Sequence, residues 1–170
     1  MRVKSTFEDY TTIIMHPNEQ HIEKFYSSFQ VLDAARMTSC YHPEIVFSDP
    51  VFGRLSGADA STIWKMLCSR PTDLKLSFTD VRADDRTGAA HWEAQYKFSK
   101  TGRSVRNVIE ASIAFRDGQI IKHNDSFSLW KWSSMALRPT GFFLGWAPFL
   151  RGAIRNDARR GLDLFRQRQK

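Results

Sequence analysis

The sequence predicts an α+β domain in which helices and a strongly curved, mostly antiparallel sheet enclose a small-molecule pocket. Three observations predict it. Apolar residues recur at helical spacing early in the chain, strict alternation takes over from Leu74, and several strand-like runs carry polar residues on their apolar faces.

Residues 18–30 place Ile22, Phe25, Tyr26 and Phe29 at helical spacing, opposite Glu19, Glu23 and Lys24. Asp33 fits the N-cap of a second, short helix that ends before His42-Pro43, because proline disfavours helical geometry in the residue before it. Residues 44–50 read as a short strand stopped by Pro50. Gly57-Ala58-Asp59 then leads into a third helix containing Ile63, Trp64 and Leu67. Four alternating runs follow, at roughly 74–83, 89–98, 104–115 and 119–132. The connections Asp84–Gly88, Ser99–Arg103 and Arg116-Asp117-Gly118 are hairpin turns, so these runs are antiparallel neighbours in a meander.

A chain of 170 residues with 42% hydrophobic and 25% charged residues suits one domain, here 1–137, with 138–170 as an extension. Of the net charge of +7, +6 sits in that extension, where eight Lys or Arg face only Asp157 and Asp163. The body is nearly neutral, which argues against a nucleic-acid partner. After the apolar, irregular segment 140–149, Leu150, Ile154, Ala158, Leu162 and Phe165 form an apolar stripe on a basic helix. Such a helix docks on the body or on a second subunit; contact with a membrane surface is the alternative. The first ten residues are charged and lack an apolar core, and the run 141–150 is too short to span a bilayer, so the expected location is cytoplasmic. Cys40 and Cys68 have no metal-ligand spacing and read as buried free thiols. With no glycine-rich phosphate loop, HExxH, GxSxG or histidine cluster, neither a cofactor nor a metal is expected.

The functional signal lies where alternation is violated. Asp49 shares a strand face with Ile45, Phe47 and Val51. Asn107 shares one with Val105, Ile109, Ala111, Ile113 and Phe115. His123 and Asp125 share one with Ile121, Phe127 and Leu129, and Tyr26 lies in the first helix's apolar stripe. A carboxylate facing an apolar interior is costly unless paired, hydrogen-bonded or protonated, and desolvation raises its pKa toward the range useful for proton transfer. Together these polar groups suggest a pocket lined by Phe47, Trp92, Tyr96, Ile109, Ala111 and Phe127, with Asn107 and His123 as polar substrate contacts. Each residue also has a bland account. Asp49 before Pro50 suits a turn, His123 and Asp125 suit a mutual buried contact, Asn107 suits a bulge or edge, and Tyr26 suits the core. His91 falls on the polar face of its strand, and His16, His21 and His42 read as surface or capping residues.

The run Ile45-Val46-Phe47-Ser48-Asp49-Pro50-Val51-Phe52-Gly53, followed by Leu55-Ser56-Gly57 and a helix, resembles the Asp-Pro-Val-Gly…Gly segment of ketosteroid isomerases. Residues 19–132 resemble the SnoaL-like and nuclear-transport-factor-like superfamily more broadly. The resemblance implies N-terminal helices in the concavity of a mixed, mostly antiparallel, cone-shaped barrel. It also implies a homodimer formed through the convex sheet face. Asp49 falls at the isomerases' general base and Tyr26 near their oxyanion-hole tyrosine, whereas their protonated aspartate corresponds to Ala111. Asp125 is placed like the acid/base aspartate of SnoaL-like polyketide cyclases. The Arg-x-Asp pairing of related epoxide hydrolases is absent.

The expected function is acid/base isomerisation, cyclisation or dehydration of a small apolar carbonyl compound. Asp49, Asp125 and Tyr26 would be catalytic, with Tyr26 or Asn107 donating to the oxyanion. A non-catalytic pocket for a hydrophobic ligand and a dimeric interaction module are the alternatives.

Overall fold

The computed structural model describes residues 15–70, 73–137 and 148–169. The expectations for the N-terminus and for residues 140–147 lie outside them. Helices α1 (Pro17–Gln30) and α2 (Ala34–Thr38) precede strands β1 (Tyr41–Asp49) and β2 (Gly53–Ser56), and α3 (Ala58–Cys68) follows. Strands β3 (Lys75–Ala83), β4 (Thr87–Phe98), β5 (Arg103–Arg116) and β6 (Gln119–Ser126) form the meander, and helices α4 (Leu129–Ala136) and α5 (Pro148–Gln167) follow among the described residues.

The sheet order is β2-β1-β6-β5-β4-β3, so β2 and β3 remain edges and the barrel is not closed. All pairings are antiparallel except β1 with β6, which run parallel with Phe47 opposite His123 and Ser48 opposite Asn124. One further step of that register sets Asp49 beside Asp125. The sheet therefore brings together two carboxylates 76 positions apart in the sequence.

Helix α1 is built for its place. His16 caps it, its ring nitrogen accepting from the Asn18 amide while Glu19 accepts from the His16 amide, and Pro17 needs no partner at the first helical position. The stripe Ile22, Phe25, Tyr26 and Phe29 is almost wholly buried in the sheet's concavity. Burial of each such side chain contributes roughly 1.5–3 kcal/mol. Asp33 caps α2 through the Arg36 amide, as expected.

The elements differ from the sequence reading in three places. Strand β1 begins at Tyr41, and its register on β6 shifts between Tyr41 and Val46, an irregularity that accommodates Pro43. The short β2 was not expected. The run 119–132 is not one strand: β6 ends at Ser126, and Ser128 caps α4 through the Lys131 amide. Leu129, Trp132 and Ala136 are buried at helical spacing, so Leu129 belongs to a helix and not to the His123–Asp125 strand face.

Cys40 is buried and Cys68 half-buried; burial pushes the Cys68 thiol up to about 11. No helix among the described residues is long and apolar enough to cross a membrane.

Where α1 packs on β4, Gly88 leaves little room for a side chain. A Cβ there would stand 2.7 Å from Ile22 Cδ1, 3.1 Å from the Phe115 ring and 3.2 Å from Ala83 Cβ. Gly88→Ala is expected to destabilise the fold by about 1–3 kcal/mol, since an overpacked core must shift side chains to relieve the clash. Urea denaturation checks this, and an unchanged midpoint would refute the tight packing of α1 on β4.

Candidate functional site

Below this packed layer the sheet and helices diverge around a cavity of about 250 Å³. Strand β1 contributes Phe47 and Asp49, β4 contributes Trp92 and Tyr96, and β5 contributes Asn107. Asp125 comes from β6, Phe127 from just beyond it, and Trp64 from α3. Of the residues expected in the lining, Phe47, Asp49, Trp92, Tyr96, Asn107, Asp125 and Phe127 are there. Tyr26, His123, Ile109 and Ala111 are not. All four are at most 2% exposed and lie behind the lining, where α1 meets the sheet and side chains fill the space.

Asp49 ends β1 at a turn whose backbone it holds. Its carboxylate accepts from the Phe52 amide at 2.5 Å, so the turn-forming role is real. The same carboxylate faces the cavity. Burial pushes its pKa from 3.8 to about 7; the Phe52, Val51 and Gly53 amides pull it down, and the charge of Asp125 pushes it further up. The backbone caps only part of the group, and desolvation wins.

Asp125 is held from behind. One of its oxygens accepts from Trp92 Nε1 at 3.2 Å and lies 3.0 Å from His123 Nε2. The other accepts no hydrogen bond among the described residues and is the oxygen left to the cavity. His123 is fully buried, with Tyr41 Oη 2.8 Å from Nδ1 and Tyr26 Oη 3.3 Å from Nε2. Trp64 Nε1 donates to Tyr41 at 2.8 Å. Burial first, and the charge of Asp125 second, raise both tyrosine hydroxyls well above their ordinary value, so both stay protonated.

Two neutral donors complete the lining. Tyr96 Oη accepts from Trp132 Nε1 at 2.9 Å, and its own proton has no acceptor among the described residues. Asn107 pairs in regular register with Ala94 of β4, so it is not a bulge residue, and because the β5–β6 pairing ends at Glu110 it has a strand neighbour on one side only among the described residues. Its amide makes no hydrogen bond among the described residues.

Helix α5 forms an outer wall through Ile154, Asp157, Ala158 and Gly161. Ile154, Ala158, Leu162 and Phe165 of its apolar stripe face the body, with Leu162 3% exposed in the main core. Arg155 donates to the Pro50 carbonyl at 3.3 Å, and Arg159 to those of Phe52 and Arg54 at 3.2 Å each, so the helix grips the turn that carries Asp49. The ion pairs Lys100–Asp157 and Arg166–Asp59 add to this, though exposed pairs contribute little each.

Sequence reading missed Tyr41, Trp64, Trp132 and the α5 wall as parts of the site. Tyr41 shares odd numbering with Ile45 and Phe47, but Pro43 interrupts the run. Trp132 carries a signal only once Leu129, Trp132 and Ala136 are read as a helix.

A family model described as the SnoaL-like domain matches residues 22–123. No curated protein matches the chain. Among solved structures, an NTF2-like protein of unknown function from Burkholderia pseudomallei is 15% identical with TM-score 0.63, covering 73% of this chain and 100% of its own. An M. tuberculosis LEH-like epoxide hydrolase is 15% identical with TM-score 0.60, at 78% and 96% coverage. A proposed polyketide cyclase from Silicibacter is 14% identical with TM-score 0.62, at 74% and 99% coverage. At these identities the likeness is one of fold.

Proposed function

The chain belongs to the SnoaL-like domain family, and from that premise we propose that its cavity is the active site of an acid/base enzyme of the isomerase, cyclase or dehydratase type, acting on a small apolar carbonyl compound without a cofactor. The observation that carries this is the pair Asp49 and Asp125, two carboxylates on one apolar cavity, with Asp49 pushed up to about 7. A base whose pKa lies near the working pH is half ionised and still basic enough to take a proton.

Asp49 removes a proton from the carbon beside the carbonyl. The C–H pair becomes the new C=C bond, and the C=O pair moves onto oxygen. Asn107 N–H and Tyr96 O–H meet that oxyanion; both residues line the cavity with donors that have no other partner among the described residues, and donors already in place where charge develops stabilise it. Tyr26 is replaced in this role because its hydroxyl is turned toward His123, behind the lining. Asp49 then returns that proton at a second position, or Asp125, entering protonated, gives its own there and is left ionised while Asp49 keeps the one it took. The cavity is slightly smaller than the ~300–1,000 Å³ of drug-sized pockets, which favours a compact substrate.

The test is deuterium exchange into small apolar ketones and enones, read by mass spectrometry. Exchange should fall by roughly 10²–10⁴-fold in Asp49→Asn while binding is retained. Binding with no exchange in the native protein would leave a hydrophobic ligand-binding protein instead. Ala158→Trp extends a large ring from α5 into the cavity, so it should weaken binding of the same ketones by on the order of tenfold or more, about 1.4 kcal/mol. Isothermal titration checks it, and unchanged affinity would remove α5 from the site.

A further inference from the structure

We infer that Tyr41 and Trp64 are positioning residues that fix the tautomer of His123 and thereby direct Asp125's exchangeable proton onto its cavity-facing oxygen. The inference rests on the reading of Asp125 as a proton carrier only for its catalytic consequence; the hydrogen-bond order stands on geometry alone.

The chain of donors has one direction. An indole N–H only donates, so Trp64 Nε1 occupies a lone pair of Tyr41 Oη at 2.8 Å. The Tyr41 proton then has one acceptor within reach among the described residues, His123 Nδ1 at 2.8 Å. An Nδ1 that accepts carries no proton, so the neutral ring bears its proton on Nε2. That nitrogen lies 3.0 Å from an Asp125 oxygen and donates to it. The reverse arrangement would send two N–H groups into Tyr41 Oη and leave its proton without an acceptor, at the shortest contact the ring makes. Tyr26 Oη, at 3.3 Å from Nε2, makes the longest contact and shares that N–H; its own proton then has no acceptor among the described residues, a loss at the ring's weakest contact where the reverse arrangement puts it at the strongest. Aromatic rings hold the imidazole in this orientation, with Trp64 stacked on it at 5.9 Å and 20°.

The consequence falls on Asp125. Trp92 Nε1–H and His123 Nε2–H both point at one oxygen, Oδ1. A proton arriving there would meet two N–H groups already in place. The proton is therefore taken and given at Oδ2, toward the substrate. The tautomer is what keeps Oδ1 closed, because a ring protonated only on Nδ1 would turn a lone pair to Oδ1 and draw the proton there. Tyr41 touches neither the cavity nor a substrate, so its effect acts entirely through His123.

The experiment is long-range proton–nitrogen correlation NMR on the full chain labelled with ¹⁵N-histidine, at neutral pH and without ligand. The His123 signal is assigned by substituting the other histidines one at a time. The expected spectrum shows an unprotonated Nδ1 and a protonated Nε2 for His123. Tyr41→Phe, which keeps the ring and removes the hydroxyl, should shift the population toward protonated Nδ1, and with a substrate in hand it should lower kcat with KM unchanged. A native His123 protonated on Nδ1, or on both nitrogens, overturns the inference, as does a Tyr41→Phe spectrum identical to the native one. Should Tyr41→Phe fail to fold, the native spectrum alone still decides. None of the spectroscopic outcomes depends on turnover, so failure here leaves the Asp49 chemistry standing, and failure of deuterium exchange leaves the tautomer standing.

Discussion

Asp49→Asn is expected to make the folded chain more stable than the native protein at pH 8, by on the order of 4 kcal/mol, and to leave the two nearly equal at pH 4 and below. The folded pKa of Asp49, about 7, lies above its ordinary value of 3.8. Between those limits the unfolded chain releases the proton while the folded chain keeps it. The stability tied to this group is therefore fully present below pH 3.8 and lost as the pH rises to about 7. Beyond that both states are ionised, and the deficit holds at ~1.4 kcal/mol per pKa unit. The amide side chain carries no charge to desolvate, and its oxygen still accepts from the Phe52 amide. Urea denaturation at pH 4, 6 and 8 checks it. Parallel pH profiles for the two proteins would mean that the carboxylate is not desolvated, and the base would be lost with it. A substitution that stabilises the fold while removing activity is the trade-off expected where a site holds a charge at a cost.

Much of this arrangement is legible in the sequence, with a limit that one residue set makes plain. Alternation put Asp49, Asn107 and Asp125 on the inner faces of their strands, and the structure has them lining the cavity. The same alternation put Ile109, Ala111 and His123 on those faces. They are inside too, yet in the packed layer and not in the cavity. Period-two patterning reports which face a residue takes, not how far along the concavity it lies, and depth depends on how α1 closes one end of the sheet. The hairpin turns fixed the order β3 to β6, but nothing local to β1 announces its parallel partner. The pairing that sets Asp49 beside Asp125 therefore had no sequence signal. The strand-like reading of 119–132 failed because Phe127 and Leu129 continue the alternation of β6 for two more steps by accident. The helical spacing that ends it becomes visible only at Trp132 and Ala136.

The buried cluster behind the cavity yields the second large effect. His123→Phe should destabilise the chain by about 3–5 kcal/mol, with the thermal midpoint falling by roughly 10 °C. The loss does not come from packing. A phenyl ring suits the surroundings, which are Phe25, Phe47 and Trp64 with ring centroids 5.3–5.9 Å from the imidazole. It comes from the groups left behind. The Tyr41 hydroxyl loses its acceptor, and the Asp125 carboxylate keeps only the Trp92 donor. A buried polar group without its partner costs about 1–3 kcal/mol, and more when it is charged. Adding Asp125→Leu removes the stranded carboxylate, so the double variant should lose less than the two single losses combined. The coupling should be about 1–3 kcal/mol, read from urea denaturation of all four proteins. Additive losses would show that His123 and Asp125 do not depend on each other. Strong coupling would show that Asp125 tolerates burial because His123 is there. Such a dependence would allow a carboxylate to stand at an apolar cavity with one oxygen held and the other open to the cavity.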